Sequence, residues 1–202
     1  EVVIVPANPT LNLGVGTWEA WVNMQALETS RIIFKDNGAG LGMYELFYND
    51  INSRFEVEIK VATTTYQAIS SVVSSTGTWN HLAGVFDGTS LKMYLNGDLT
   101  ETTTISGVID ANPGALGIGG DPDGNISSNA IIDEVRIWNT PLLESEIQNN
   151  MFRTLTGSEA GLVAYYRFDE TTGSVLPDLS VNGNTGTLVN SPAWVSSNAF
   201  EL

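Results

Sequence analysis

Along Phe55-Glu56-Val57-Glu58-Ile59-Lys60 apolar and charged residues alternate strictly. In a strand this sends them to opposite faces, one toward a core and one toward water. Short runs rich in Val, Ile, Thr and aromatics recur along the chain, each closed by Gly, Asn, Asp or Pro. They predict strands near 1–5, 17–24, 31–35, 43–49, 53–61, 64–73, 79–87, 90–96, 98–105, 115–119, 129–138, 162–168, 185–190 and 193–196. Asn96-Gly97 is the strongest hairpin signal, because a type I′ turn needs positive φ at both central residues. With Asp87-Gly88 it makes residues 79–105 a three-stranded antiparallel meander. One helix is expected at about 141–152, capped by Thr140, started by Pro141 and carrying Leu143, Ile147, Asn150 and Met151 on one stripe.

Many short strands joined by hairpins, without helical crossovers, indicate an all-β antiparallel sandwich with one short helix. No linker divides the chain, so residues 1–202 read as a single domain, with the tail at 185–196 packing beside residues 1–24. The chain opens inside a strand, as an excised piece of something longer would.

Charge narrows the partners. Eight basic residues against 23 acidic ones give a net charge of −15. That field repels phosphate backbones, so nucleic acid is not expected as a partner. It suits hard cations, since calcium prefers carboxylate and carbonyl oxygens. There is no cysteine, which removes disulfides and thiolate metal sites. No apolar run is long enough to span a bilayer, so membrane insertion is not expected.

Three stretches carry a family resemblance. Thr17-Trp18-Glu19-Ala20-Trp21-Val22 is similar to the early strand of laminin-G-like, concanavalin A-like jelly rolls. Thr78 to Gly88, continuing to Met93-Tyr94-Leu95-Asn96-Gly97, resembles their central meander. Ile132-Asp133-Glu134-Val135-Arg136-Ile137-Trp138-Asn139, followed by a Glu-rich helix, is the most specific match. The tail from Gly161 to Glu170, with Asn182 to Leu188, looks like a segment found beside such domains in large bacterial surface proteins. The resemblance implies a jelly roll in a secreted or cell-surface bacterial protein, with neighbouring domains and possible glycan contact. The fold alone does not choose a function, because it carries lectins, glycanases and spacers alike.

Retaining glucanases of this fold need two carboxylates about 5 Å apart. Glu56 and Glu58 share a face, but with Arg54 and Lys60 they read as a charge-balanced solvent face, so catalysis is not expected. His81, the only histidine, lacks partners for a triad or zinc site and reads as structural. The five tryptophans, Trp18, Trp21, Trp79, Trp138 and Trp194, fall in expected strands and therefore in the core.

The resemblance implies calcium at Asp133; without metal, Asp133 would pair with Arg136 or accept backbone hydrogen bonds. Asp121 and Asp123, in the loop Gly119 to Asn125, and Asp36 are further candidate ligands. For a weakly bound glycan, Tyr44, Tyr48 and Tyr66 are candidate platforms, and Asn37, Asn49, Asp50, Asp121, Asp123 and Asn125 candidate acceptors. The expected function is a non-catalytic carbohydrate-binding or adhesion module with a structural calcium ion. The alternative is a spacer with no small ligand.

Overall fold

Turn chemistry sets the central meander. The computed structural model describes every residue except 37–41, 73, 112, 198 and 200–202, together with all side chains of those residues but that at position 36. Asn96 and Gly97 have φ of 54° and 84°, as a type I′ turn requires. They join β8 (Ser90–Leu95) to β9 (Asp98–Thr104). Before them, β7 (Trp79–Phe86) turns at Asp87, whose Oδ1 accepts the Thr89 and Ser90 N–H groups at 2.9 and 2.8 Å.

The meander is half of a six-stranded sheet. β2 (Gly16–Met24), β11 (Ala130–Trp138) and β12 (Leu162–Tyr166) complete it in the order β12-β11-β2-β7-β8-β9. An eight-stranded sheet faces it. Its strands are β1 (Val2–Val5), β3 (Ser30–Asp36), β4 (Gly42–Asn49), β5 (Arg54–Val61), β6 (Thr64–Ile69), β10 (Leu116–Ile118), β13 (Val175–Leu176) and β14 (Gly186–Val189). Their order is β13-β14-β1-β10-β3-β4-β5-β6. Neighbours are antiparallel throughout. The result is the antiparallel sandwich that the strand and hairpin pattern predicts, in the jelly-roll form that the resemblance implies.

The core lies between the sheets. Trp18, Ala20, Val22 and Met24 point in from β2, and Leu46, Phe55, Val57 and Ile59 meet them from the other side. The approach is tightest at Gly84, where an added Cβ would lie 2.7 Å from both the Trp18 ring and Val57. Only glycine fits there.

The outer face of the six-stranded sheet is also covered, which is why all nine residues of β2 are buried. Tyr94, Trp138, Leu142, Ile147, Leu155 and Tyr165 form a second apolar cluster beneath α1 (Glu144–Asn150). The helix is shorter than its sequence suggests. Thr17 Oγ1 donates to Thr140 O at 3.0 Å and accepts the Leu142 N–H at 2.9 Å, so this stretch follows β2 instead of coiling. Leu143 becomes the N-cap and stays exposed, its N–H donating to Glu146 Oε2 at 2.7 Å.

The tail joins the sandwich in part. β14 pairs with β1 in register Val3↔Leu188, as expected. Residues 193–196 form no strand, and β13 was not foreseen because a two-residue ladder leaves no periodicity to read. On β5 the expected solvent face is only half correct. Glu56 is fully buried, with Oε1 accepting the Asn52 amide at 2.6 Å.

Candidate functional site

A bulge in β11 builds the site. Asp133 lies opposite Trp21 and Arg136 opposite Glu19, so two residues of β11 face one of β2. Glu134 is the extra residue and takes φ of 51°. Val135 still points into the core, while Asp133 and Arg136 face outward. Strict parity would have separated these side chains; the bulge gathers them.

Arg136 then binds what lies over it. Its Nη2 donates to Glu134 Oε2 at 2.7 Å and to Arg153 O, just past α1, at 2.8 Å, and its Nη1 to the O of Asn150, the last residue of α1, at 2.9 Å. Glu134 also accepts from the Tyr165 hydroxyl at 2.7 Å. Beneath, Glu19 accepts from Trp138 Nε1 at 3.0 Å and lies 3.3 Å from His81 Nε2. Burial pushes the Glu19 carboxyl up, but the His81 hydrogen bond and the Arg136 charge hold it below its usual value. His81 is thus placed in a buried structural network.

Asp133 lies at the margin of this network, in the wall of an open cleft of about 500 Å³. That volume is in the range of ligand sites. The opposite wall is the segment after β12, where Phe168 takes φ of 57° and Arg167 Nη2 meets Asp169 Oδ2 at 2.6 Å. The roof is Trp194 to Ser197. Trp194 is held by its Nε1–H to Gly173 O at 2.9 Å and by the Phe168 ring, 6.5 Å away between centroids. On the far side of these two rings a smaller hollow of about 220 Å³ is lined by Val3, Ile118, Ile132 and Leu188. Two non-glycine residues in left-handed backbone thus flank one cleft, and strain of that kind concentrates at functional sites.

The electrostatics of the cleft are acidic. Burial raises the Asp133 carboxyl to about 6; a hydrogen bond from Ser197 opposes this, and the charges of Glu134 and Asp169 add to it. Oδ1 of Asp133 accepts the Glu134 N–H at 2.8 Å, one of the arrangements expected of it without metal. A second carboxyl pair sits elsewhere, on the outer face of the eight-stranded sheet. There burial, opposed by Arg31 and reinforced by Glu58, raises Glu45 to about 8. Glu45 and Glu58 lie directly opposite one another on β4 and β5, so the charge of each disfavours that of the other. A retaining glycosidase instead needs its carboxyl groups held apart around a sugar.

The residues singled out in the sequence are not brought together. Tyr44 and Tyr48 are 1% exposed, inside the core, and offer no ring face to a sugar. They are set aside as platforms, because the inward parity of β4 falls on them. Tyr66 is half-buried against the same core. Asn49 Oδ1 accepts the Ile51 N–H, and Asp50 accepts the Thr29 hydroxyl, at the β4–β5 turn. Asp121 is buried, with Oδ1 accepting the Asn125 and Ile126 N–H groups. Asp123 and Asn125 are exposed on that loop. Asn37 lies outside the described residues, as does the Asp36 side chain. Among the described residues no group of three or more His, Cys, Asp or Glu is arranged to hold a metal ion.

Sequence reasoning missed Trp194, Arg167, Phe168 and Glu170. The strand pattern places Trp194 in the core, yet Asn190-Ser191-Pro192 before it and Ser196-Ser197 after it are loop-forming residues. That was the available signal. Trp18, Trp21, Trp79 and Trp138 are at most 6% exposed, whereas Trp194 is only partly buried.

Comparison with known proteins fits this architecture. The model of the concanavalin A-like lectin/glucanases superfamily, of laminin G type, matches residues 2–148. The chain belongs to that superfamily. The match includes Asp133 and Glu134 and ends before the opposite wall of the cleft. Among solved structures, a proposed carbohydrate-binding protein from Bacteroides ovatus is similar over 95% of this chain, with 20% identity and a TM-score of 0.74. This chain spans only 58% of that protein's length. Domain 4 of an extracellular arabinanase from Geobacillus stearothermophilus, in complex with arabinotriose, matches 72% of this chain and 70% of its own, at 19% identity and a TM-score of 0.57. Domains LG4–5 of the mouse laminin α1 chain match 71% of this chain and 40% of their own, at 13% identity and a TM-score of 0.58. No curated protein sequence matches.

Proposed function

We propose that this chain is a non-catalytic carbohydrate-binding module, acting outside the cell within a longer protein, and that the cleft roofed by Trp194 is its binding site. The observation that carries the reading is Trp194 itself, the one tryptophan of the five left partly exposed, at the mouth of a ligand-sized cleft. A sugar needs a ring face for its C–H groups and directional partners for its hydroxyls. Trp194 supplies the face; Asp133, Arg167, Asp169 and Ser197 supply the partners. The arabinotriose complex of a domain with the same fold is a further support.

A single cleft of this size is expected to bind near millimolar, about −4 kcal/mol, with repeats of the module adding avidity. Calcium is a separate proposal, with Asp133 as its side-chain ligand. Among the described residues no helix is long and apolar enough to cross a membrane.

The test is a titration of bacterial and plant oligosaccharides, followed by tryptophan fluorescence. Binding is expected in the wild type and absent in Trp194→Ala, whose melting temperature is read alongside. No response to any glycan would replace this reading with the spacer. A melting temperature unchanged by chelator would remove calcium from the account.

A further inference from the structure

The charges of the cleft do not cancel. Glu134 is matched by Arg136 at 2.7 Å, and Arg167 by Asp169 at 2.6 Å. Asp133 and Glu170 have no such partner, since none of the ion pairs among the described residues includes either. Glu170 Oε2 is buried in the cleft wall without a hydrogen-bond partner, and so is Arg167 Nε, but the Arg167 charge is already matched by Asp169 while that of Glu170 is not. Buried polar atoms without partners call for an explanation, and a missing ligand is one.

Three kinds of sugar can be weighed against this. A neutral hydroxyl could donate to Glu170 yet would leave both charges uncompensated. An acidic sugar would meet like charges in a partly desolvated wall, where repulsion is strongest. A protonated amine brings three N–H donors and the missing charge together, and a tryptophan face attracts a cation as well.

We propose that the cleft selects glycans carrying a free amine, of the glucosamine type, over their neutral or N-acetylated counterparts. The amine sits between Asp133 and Glu170 while the pyranose packs on Trp194. This deepens, and rests on, the carbohydrate reading of the same cleft.

The test is calorimetry at neutral pH and low salt, with chelator present so that no metal bridges the ligand. A glucosamine trimer, an N-acetylglucosamine trimer and arabinotriose are titrated into the wild type, Asp133→Asn, Glu170→Gln and the double variant. The glucosamine trimer is expected to bind the wild type at least about tenfold more tightly than the acetylated one. Each variant that keeps its cooperative melt is expected to lose most of that preference. Equal affinity for the two trimers, or binding of arabinotriose alone, overturns the amine selection and leaves the carbohydrate reading standing. A preference that persists in a folded double variant overturns it too, by placing the amine elsewhere. Silence with all three ligands removes both readings.

Discussion

Two groups of charges share the outer face of the six-stranded sheet and behave differently. In the first, Glu19 lies between His81 and Arg136, and Arg136 also binds Glu134 and two carbonyls at the end of α1. Trp21, Trp79 and Trp138 lie around them, and all three rings are buried. In the second, one residue along β11, Asp133 opens into a cleft whose wall holds Glu170 unpaired. Both groups combine carboxylates with an arginine. One group has its charges paired under apolar cover, though Arg136 Nε and His81 Nδ1 within it also lack hydrogen-bond partners, and the other leaves charges unmatched at a ligand-sized opening. Matched charge under cover marks structure, and unmatched charge at an opening marks a place for a partner.

The contrast is sharpest under mutation. Arg136→Ala would leave Glu19 and Glu134 buried without their cation and the end of α1 without its donor. A loss of about 3–5 kcal/mol is expected, read by urea denaturation. A loss under about 1 kcal/mol would mean that the charges are not paired as described.

Asp133→Asn should act in the opposite direction. The folded carboxyl titrates near 6, above its ordinary 3.8. The folded state therefore keeps a proton that the unfolded chain releases, and stability falls as pH rises through that window. Removing the titration should stabilise the protein above about pH 6, by roughly 1–3 kcal/mol, with the gain vanishing below about pH 4. Thermal melts across pH would show it. Destabilisation at neutral pH would indicate that Asp133 is already compensated, by calcium or otherwise.

The wild type should follow the same sign. Glu45, raised to about 8 from 4.5, adds to the fall in stability between those values. Glu19, Asp87 and Glu159, held below their usual values, lose stability in acid. The melting temperature should therefore be higher near about pH 5 than near pH 8. A rise from 5 to 8 would show that Glu45 and Asp133 do not keep their protons.

Trp194→Ala is expected to cost the least stability, about 1 kcal/mol or less, because its ring is only partly buried. Its effect belongs to binding. If instead it unfolds the chain, the tail is a structural strap and the cleft reading loses its platform.

Much of the fold was legible because strand alternation and turn chemistry are local. Asn96-Gly97 set a hairpin, and the run around Phe55 set an inner and an outer face. The site was legible only at Asp133. The bulge at Glu134 is invisible to parity, because one extra residue reverses which side chains share a face. Met43-Tyr44-Glu45-Leu46-Phe47-Tyr48 is apolar on both faces, so the burial of Tyr44 and Tyr48 could not be read from it. The opposite wall lies some 35 residues further on and approaches only through the path of the tail.

An amide and indole NMR titration with a binding oligosaccharide tests the central claim most directly. The account predicts the largest shifts at the Trp194 indole N–H and at the amides of Asp133, Phe168 and Ser197. Shifts centred on Asn49 and Asp50, or on the Asp121 to Asn125 loop, would contradict it and place recognition on the other sheet.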